Sequence, residues 1–419
     1  MSPLPPHASR NARRRVVVIG AGAAGLMATI FAARAGAETT LLERTRDGGR
    51  KILISGGGRC NVLPMHLDES RFVTDSSPNV LNRMLRSWPL REQIAFFEND
   101  LGLPLTEEVE SSKLFPTSNK ARDVRDGLLA HAKRAGATVR MDTVVTGFVP
   151  HDVGWRVECD AAPPIDADGL IVATGGLSVP TTGSDGLGLR ELRRLGHVVH
   201  PVYAALTPIT ATDSPFAELS GVSLRVTLSA RDAAADRTAT SMGGFLFTHH
   251  GYSGPSVLDV SHVAVRAESP ASARLTVQWT ALGAAEWEEV LRPQGNRTVT
   301  GALRASLPDR LAAVLLTLAK VDSARSLAEL RRDERVRLIE MLVAGALPWT
   351  GDEGYRKAEV TGGGVSLAEV DARTMESRRH PGLYVCGEVL DAFGPVGGYN
   401  FFWAWATGRA AGLGAAAAP

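Results

Sequence analysis

The sequence has few cysteines, and none lies in a spacing that builds a common metal or redox site. Cys60, Cys159 and Cys386 are the three cysteines in 419 residues, and no two of them form a CxxC pair. A disulfide framework, a zinc site and a redox-active dithiol are therefore not predicted. We expect no bound metal, and the low cysteine usage favours a reducing, cytoplasmic setting.

An excess of charge of one sign is also lacking. The 46 Lys and Arg residues nearly balance the 45 Asp and Glu residues, which leaves a net charge of +1. Global attraction to nucleic acid or to an anionic membrane is therefore not indicated, although a local patch stays possible. Because no Arg/Lys-rich stripe is evident, we expect a small-molecule substrate and no nucleic-acid partner. The oligomeric state stays open.

One nearly uncharged stretch needs a choice between two interpretations. Val16–Ala33 follows Arg13–Arg15, which is the charge pattern of a signal peptide or a membrane span. Gly20, Gly22 and Gly25 interrupt it where either segment favours leucine. We therefore predict a buried strand, a glycine turn and a helix, and no membrane span.

The turn in this stretch has the GxGxxG pattern of a dinucleotide site. Gly20 permits the tight turn, Gly22 lets the backbone approach a pyrophosphate, and Gly25 lets the helix pack closely on the strand. Glu43 ends the next apolar run, where an acid accepts hydrogen bonds from ribose hydroxyls. The predicted contacts in this part of the chain are Gly20, Gly22, Ala23, Ala24, Gly25, Glu43 and Arg44.

A second glycine-rich segment, GGRKILISGGGRCN, spans Gly48 to Asn61. Its three successive glycines let the main chain lie flat against a planar ligand, and its basic residues could neutralise a pyrophosphate. Cys60 is open to two interpretations, a packed small residue or a nucleophile. The predicted ligand contacts are Arg50, Lys51, Ser55, Gly56, Gly57, Gly58, Arg59, Cys60 and Asn61.

The other half of the signature lies near the far end of the chain. A dinucleotide held partly by the last tenth of the chain indicates a resident flavin rather than a visiting nicotinamide. A glycine turn after the strand that ends near Ala173 adds further contacts, and Asp185 is either a contact or part of an ordinary Asx turn. The predicted contacts are Thr174, Gly175, Gly176, Asp185, Gly387, Glu388, Gly397, Gly398, Tyr399, Asn400 and Phe401.

Between these ends the pattern of the chain changes. Leu224, Val226 and Leu228 alternate with Arg225 and Thr227, which predicts antiparallel strands with one wet face. From residue 284 the period of the apolar residues becomes helical. One apolar stripe is Leu311, Val314, Leu315 and Leu318, and a second is Val336, Ile339, Leu342 and Val343. A Ser326–Glu329 capping box precedes the second stripe.

The chain resembles the BaiN/YhiN type of FAD-dependent oxidoreductase, which is related to fumarate reductase flavoprotein subunits. The matching stretches are the GxGxxG strand, GGRKILISGGGRCN, ATGGLSVPTTGSDGLGL, GFLFTHHGYSGPSVLDVS and the C-terminal EVTGGGVSLAEVDARTMESRRHPGLYVCGEVLDAFGPVGGYNFFWAWATGRAAG. The resemblance implies an α/β fold: a discontinuous Rossmann-like FAD-binding domain of the glutathione-reductase type, a β-barrel-like domain and a small helical insert. The corresponding boundaries are 14–200 with 355–419 for the first, 201–284 with 345–354 for the second, 285–344 for the insert, and 1–13 for a disordered tail.

The resemblance also implies roles for residues. Gly20, Gly25 and Glu43 would hold the ADP half, Lys51 and residues 55–61 would follow the pyrophosphate and flavin, and Val145 would contact the adenine region through its backbone. Glu388 would accept from the ribityl chain, and the helix opened by Gly398, Tyr399 and Asn400 would face the flavin O2. Because the glycine loop holds no histidine, we expect FAD to be bound non-covalently.

The implied function is hydride transfer through flavin N5, from NAD(P)H to an unidentified small molecule such as a conjugated alkene. No second GxGxxG occurs between residues 201 and 350, so NAD(P)H would enter an open site. The catalytic residues are unknown. Candidates are Cys60 and His249, the latter either a proton donor or a hydrogen-bonding strut. Alternatives are a flavin-dependent RNA-modification factor and a flavin-binding module without turnover.

Overall fold

The computed structural model describes residues 13–152 and 154–417, and the chain forms two compact units. The first unit contains the described residues up to Val202 and those from Val360 onward. The second unit is Tyr203–Glu359. A chain that leaves its first unit and returns to it makes that unit discontinuous. The predicted tail at 1–13 lies outside the described residues except for its last position.

The strands are short and are numbered in chain order. They are β1 Arg15–Ile19, β2 Glu38–Leu42, β3 Leu63–Pro64, β4 Leu105–Glu108, β5 Lys113–Pro116, β6 Thr138–Arg140, β7 Val145–His151, β8 Gly154–Cys159, β9 Ala162–Ala167, β10 Gly169–Val172, β11 Val199–Ala205, β12 Ile209–Thr210, β13 Ser223–Asp232, β14 Arg237–Phe247, β15 Gly251–Ser253, β16 Ala273–Gln278, β17 Gly345–Ala346, β18 Gly351–Asp352, β19 Val360–Val365 and β20 Leu383–Val385.

The α-helices occur in both units. They are α1 Ala23–Arg34, α2 Arg50–Ile54, α3 Pro78–Leu85, α4 Leu90–Ala95, α5 Ala121–Arg134, α6 Leu187–Arg194, α7 Pro255–Val265, α8 Ala284–Val290, α9 Val299–Leu303, α10 Asp309–Leu318, α11 Arg332–Ala344 and α12 Tyr399–Ala416. None of the helices in the described part of the chain combines the length and apolar character needed to cross a membrane.

A parallel sheet of order β20-β10-β1-β2-β6 forms the centre of the first unit. The apolar runs of β1 and β10 are buried, as expected for strands covered on both faces. Helices α1 and α12 cross closely, because Gly408 and Gly412 bring the backbone of α12 against the carbonyls of Ala24 and Ala28. The carboxyl ends of β1, β2, β10 and β20 therefore carry the predicted ligand-binding turns along one edge of the sheet.

Smaller sheets complete the first unit. Strands β7, β8 and β9 form one antiparallel sheet, and β3, β5 and β4 form another. Strands β11 and β19 pair as a two-stranded sheet. Together with the parallel sheet, these give the α/β fold with a Rossmann-like domain that the sequence predicts.

The second unit has a sheet of order β17-β16-β13-β14-β15-β12-β18. Within the described residues its end strands β17 and β18 do not pair with each other, so the barrel-like form implied by the resemblance is not confirmed. One hydrophobic cluster includes sheet residues such as Phe245 and Trp279 together with helix residues such as Trp287, Leu315 and Leu342. The sheet and the helices therefore share a core, and the three-domain division of the chain stays a prediction.

Candidate functional site

The turn after β1 has the geometry that its three glycines predict. Gly20 has φ +102°, and a Cβ on it would lie 2.6 Å from the Ala173 carbonyl oxygen. A Cβ on Gly25 would lie 1.8 Å from the Gly20 carbonyl oxygen, so α1 packs too closely for any side chain there. A Cβ on Gly22 would have no heavy atom within 4 Å. The backbone at Gly22 therefore borders open space at the start of α1.

Glu43 is buried directly beside this turn. Its Oε2 accepts a hydrogen bond from the Ala21 amide at 2.7 Å, and its Oε1 accepts from the Thr45 amide at 2.8 Å and the Thr45 hydroxyl at 2.7 Å. A carboxylate offers about four acceptor positions, so three donors leave capacity for a ligand hydroxyl. Glu43 therefore stabilises the turn and keeps acceptor capacity, and its contact with a ribose stays a prediction.

The glycine loop exposes its backbone. Gly56, Gly57 and Gly58 have φ values of 56°, 67° and 87°, which favour glycine, and all three are exposed. Asn61, three residues on, has a buried Oδ1 with no hydrogen-bond partner among the described atoms. An unsatisfied buried acceptor costs free energy unless a donor reaches it. The loop therefore offers exposed backbone and one acceptor to a ligand.

Cys60 does not share this exposure. Its side chain is fully buried, and burial raises the pKa of its thiol to about 12. A thiol is a good nucleophile only as the thiolate. At neutral pH the Cys60 sulfur is therefore protonated and enclosed, which favours the packed interpretation over the nucleophilic one.

A charged cluster joins the glycine segment to the C-terminal part of the chain. The Lys51 Nζ lies 2.6 Å from Oε2 of Glu388 and donates to the Ser178 Oγ at 2.5 Å. Oε1 of Glu388 accepts from the Ser178 hydroxyl at 2.6 Å and from the Thr361 amide at 3.0 Å. The Thr361 Oγ1 accepts from the Leu177 amide at 2.7 Å. Four separate segments thus meet at one carboxylate.

The ionisation of Glu388 depends on this cluster. Burial would raise its pKa, but the Lys51 ammonium and the hydrogen bonds from Ser178 and Thr361 hold the pKa below its usual range. Sequence analysis singled out Lys51 and Glu388 but not Ser178 and Thr361. Both missed residues lie inside recognised motif stretches, ATGGLSVPTTG and EVTGGGVSL, and that was the available signal.

The turn before α12 is held by its own side chains. Asn400 Oδ1 accepts from the Gly394 amide and its Nδ2 donates to the Gly394 carbonyl, both at 2.9 Å. The Tyr399 hydroxyl donates to the His66 carbonyl at 3.2 Å. Gly397 and Gly398 have φ +118° and +91°. These side chains fix the turn, so its backbone is the part that remains for ligand contact. Phe401 stacks on Trp405 with ring centroids 5.3 Å apart.

A second buried acid, Asp391, lies close to the same turn, and sequence analysis missed it. Its Oδ2 accepts from the Thr74 hydroxyl at 2.9 Å, the Asp75 amide at 3.0 Å and the Ser76 hydroxyl at 2.7 Å. The His200 Nε2 lies 3.7 Å from Oδ2. Burial raises the Asp391 pKa despite these hydrogen bonds.

Several predicted contacts have protein partners. Arg44 pairs with Asp185 at 2.5 Å, and Asp185 Oδ1 also accepts from the Leu187 amide at 3.0 Å, an Asx geometry at the start of α6. Arg50 pairs with Asp47 at 2.7 Å and Arg59 with Glu108 at 2.8 Å.

Other predicted contacts lie in the backbone near the sheet. Gly175, with φ +71°, turns the chain after β10, with Thr174 before it and Gly176 after it. Val145 is buried at the start of β7. Which of these residues contact a ligand stays a prediction.

His249 belongs to the second unit, in the loop between β14 and β15. It is exposed, and its side chain has no hydrogen bond or ion pair with the described residues. The loop itself is ordered by the Thr248 hydroxyl, which accepts from the amides of His250 at 3.3 Å and Gly251 at 3.1 Å. Within the described part of the chain, no hydrogen bond supports the alternative in which His249 is a structural hydrogen-bonding residue.

The residues of the first unit fit FAD. The open space at Gly22 fits a pyrophosphate, and the spare acceptor capacity on Glu43 fits a ribose hydroxyl. The exposed glycine backbone at residues 56–58 and the unpartnered Asn61 Oδ1 fit a planar ring with N–H donors. Within the described residues, no group of three or more His, Cys, Asp and Glu side chains could hold a metal ion.

Comparison with known proteins agrees with this geometry. The model of the family described as HI0933-like protein Rossmann domain matches residues 14–414. The chain belongs to this family. Membership places it among FAD-dependent oxidoreductases, with FAD as the cofactor.

Relatives that match this chain over nearly its whole length have two different names. A ribosomal RNA dihydrouridine synthase from Escherichia coli strain K12 is 32% identical over 405 residues, 93% of this chain and 95% of that protein. A 3-dehydro-bile acid delta(4,6)-reductase from Clostridium scindens is 30% identical over 416 residues, 97% of this chain and 100% of that protein.

A solved structure is similar in fold. The 3-ketosteroid delta1-dehydrogenase from Sterolibacterium denitrificans, in complex with 1,4-androstadiene-3,17-dione, aligns with a TM-score of 0.51 at 11% identity and covers 96% of this chain and 99% of that chain. At that identity the similarity describes the fold and nothing more.

Proposed function

We propose that this protein is an FAD-dependent reductase of carbon–carbon double bonds conjugated with a carbonyl group, with NAD(P)H as the electron donor. One observation carries the proposal: the Gly20–Gly25 turn, Glu43 and the Lys51–Glu388 cluster belong to one unit and lie at the ends of neighbouring parallel strands. FAD, when bound, supplies the hydride chemistry at N5.

The protein's own residues would bind and orient the cofactor. The α1 amides and the open backbone at Gly22 would bind the pyrophosphate, and Glu43 would accept from a ribose hydroxyl. The Glu388 carboxylate, kept ionised by Lys51, would accept from a hydroxyl of the ribityl chain. The backbone amides at the start of α12 would place partial positive charge near the flavin O2.

The acceptor class rests on what the named relatives share. A 3-dehydro-delta(4,6) bile acid has double bonds conjugated with its 3-keto group. Dihydrouridine is uridine with the ring double bond next to a carbonyl saturated. In both reductions a hydride adds to the carbon remote from the carbonyl and a proton adds to the adjacent carbon. The two names therefore support one reaction on two kinds of molecule.

Anaerobic reoxidation tests the acceptor class. The protein, reduced with NADPH, is mixed with a conjugated ketosteroid or with a uridine-containing RNA, and the flavin absorbance near 450 nm is followed. The matched controls are the saturated ketosteroid and the same RNA with dihydrouridine in place of uridine. Reoxidation by a conjugated compound alone supports the proposal, and equal rates with both members of each pair contradict it.

His249 is our proposed proton donor. We expect His249→Ala to retain FAD and thermal stability, because the side chain is exposed, and to slow reoxidation by about 10²–10⁴-fold. The neighbouring His250→Ala is the matched control. Flavin content, melting temperature and single-turnover reoxidation are measured on both variants. A wild-type reoxidation rate in His249→Ala removes this residue from the reaction.

A further inference from the structure

One face of the sheet in the second unit is basic, although the whole chain is nearly neutral. Side chains alternate between faces along β13, β14 and β16, and the face that includes Val226, Leu228 and Phe245 is buried in the core. We call the opposite surface the outer face. It consists of Ser223, Arg225, Thr227, Ser229, Arg231, Thr238, Thr240, Met242, Gly244, Leu246, Arg274, Thr276 and Gln278.

The positive charge on the outer face is not neutralised within the protein. Arg225, Arg231 and Arg274 are exposed, and none of them forms an ion pair with a described side chain. The register places Arg231 directly opposite Arg274 on the neighbouring strand. Like charges in directly opposite positions destabilise a sheet. The three strands carry no Asp or Glu on this face, so a bound external anion would reduce the repulsion between the arginines.

Hydroxyl groups lie between the arginines. Ser229 and Thr240 are opposite each other and hydrogen-bonded at 2.9 Å, and Thr276 pairs with Ser229 on the other side. Arginine and hydroxyl side chains are the groups with which proteins contact phosphate and sugar. Arg225 and Arg231 are six residues apart, about 20 Å along the strand. That distance corresponds to about six phosphates of a stacked strand at 3.4 Å each.

We propose that the outer face binds the phosphate backbone of RNA. The choice of RNA among polyanions rests on the proposed function, since uridine is one of the two acceptor types considered above. The face is preformed, because the opposite side of the same strands packs on α7 through buried residues such as Val257 and Val260. Contacts of this kind position a nucleic acid without reading its sequence. The face would thus hold RNA independently of the chemistry at the flavin.

The test uses the FAD-loaded full chain and two fluorescein-labelled 20-nucleotide RNAs of unrelated sequence, measured by anisotropy across a salt series. The variant is Arg225→Gln/Arg231→Gln/Arg274→Gln. The matched control is Arg193→Gln/Arg310→Gln/Arg332→Gln, which removes the same charge at exposed arginines that form no ion pair with a described side chain. Flavin content and melting temperature confirm that both variants fold.

We expect the outer-face variant to bind both RNAs at least about tenfold more weakly at low salt. The slope of log affinity against log salt concentration should fall by about 2, because each of the three lost phosphate contacts with a single strand contributes about 0.7. The control should stay within about twofold of wild type. Equal losses in the variant and the control, or no RNA binding by the wild type, would overturn the proposal. So would loss of binding to phosphatidylserine vesicles in the variant with RNA binding unchanged.

This outcome is separable from the proposed function. If the outer-face variant loses RNA binding but wild-type reduced flavin is not reoxidised by uridine-containing RNA, the surface stands and uridine is excluded as the acceptor. If RNA reoxidises the flavin equally in wild type and the outer-face variant at saturating RNA, while the affinity falls in the variant, both proposals hold.

Discussion

Glu388 and Asp391 are two carboxylates three residues apart between β20 and α12, and the charged groups around them differ. Glu388 has the Lys51 ammonium 2.6 Å away, and its pKa is held below its usual range. Asp391 is also buried and accepts hydrogen bonds from Thr74, Asp75 and Ser76, yet its pKa is raised. Both have hydrogen-bond donors, but only Glu388 has an adjacent lysine.

Two effects on the pKa of a buried carboxylate differ between these acids: hydrogen bonds to its oxygen atoms and the charge of neighbouring groups. At Asp391 the hydroxyl and amide donors satisfy the carboxylate oxygens but do not fully offset the loss of hydration, and the Asp75 carboxylate adds repulsion. At Glu388 the Lys51 ammonium acts together with the hydrogen bonds, and their combined effect outweighs burial. Glu388 is therefore suited to serve as a permanently charged acceptor for a cofactor hydroxyl. Asp391 is suited to tie the segment at residues 74–76 to the chain that precedes the α12 turn.

The largest effect is expected when the cation is removed. Lys51→Met leaves Glu388 without its ion pair, which should destabilise the FAD-loaded protein by about 2–4 kcal/mol. The lower part of the range for buried pairs applies because a quarter of the Lys51 side chain is exposed. Chemical denaturation monitored by flavin fluorescence measures the loss.

The control is the double variant Lys51→Met/Glu388→Gln. Without a charge at position 388, no unpaired carboxylate remains, so the double variant should recover more than half of the lost stability. If the double variant is as unstable as the single one, the cost comes from packing around the lysine stem and the ion pair is not the cause.

Glu43 extends the comparison to a carboxylate held by backbone amides. Glu43→Ala removes the acceptor of the Ala21 amide and of a ribose hydroxyl, so FAD binding should weaken by about 1–3 kcal/mol. Isothermal titration of the apoprotein with FAD measures this change. Thr45→Ala, which removes one of the three donors to Glu43 but leaves the acceptor, is the matched control and should have a smaller effect. Unchanged affinity in Glu43→Ala would place Glu43 outside the site.

The pH dependence of stability should distinguish the two acids in direction. The folded pKa of Glu388 lies below its unfolded value, so its stabilising contribution is complete above about pH 4.3 and is lost as the pH falls through the folded pKa. Glu388→Gln should therefore have a shallower loss of stability in acid than wild type. Denaturation midpoints between pH 3 and 7 measure it. Identical slopes for the two proteins would contradict the lowered pKa.

The pKa of Asp391 is shifted in the opposite direction, and its conservative replacement by asparagine should have the smallest effect of the series. Its folded pKa is raised, so ionisation at neutral pH costs stability that a neutral side chain does not lose. Asp391→Asn keeps an acceptor oxygen and should change stability by less than about 1 kcal/mol at pH 7. Asp391→Ala removes the carboxylate that accepts from the Asp75 amide and the Ser76 hydroxyl, whereas the Thr74 hydroxyl can still donate to the Asp391 carbonyl, and it should cost about 1–3 kcal/mol. Thermal unfolding compares them, and equal losses would mean that hydrogen bonding is not what holds the segment.

Local sequence signals predicted the first unit well. The glycines at 20, 22 and 25 and the acid at 43 follow from steric and hydrogen-bonding requirements of a few neighbouring residues, and the structure has these features. Here the signal and the structure are both local.

The helical stripes show where the local signal was insufficient. The Ser326–Glu329 capping box forms, but it caps a short 3₁₀ turn at Leu327–Glu329, and α11 begins at Arg332. Val336, predicted in the buried stripe, is 51% exposed, whereas Leu338 is buried. Either face of such a helix could have been covered, and packing against the rest of the second unit made the choice.

The sequence by itself determined the parts of this protein that depend on one short segment: the tight GxGxxG turn, the glycine loop and the family that these motifs indicate. Tertiary structure decided which distant groups meet. Ser178 and Thr361 join Lys51 and Glu388 only because separate segments converge at one carboxylate. Arg231 and Arg274 form a basic surface only because strand register places them opposite each other. Charge counted along a chain averages over such positions, whereas electrostatic energy depends on the distances that folding creates.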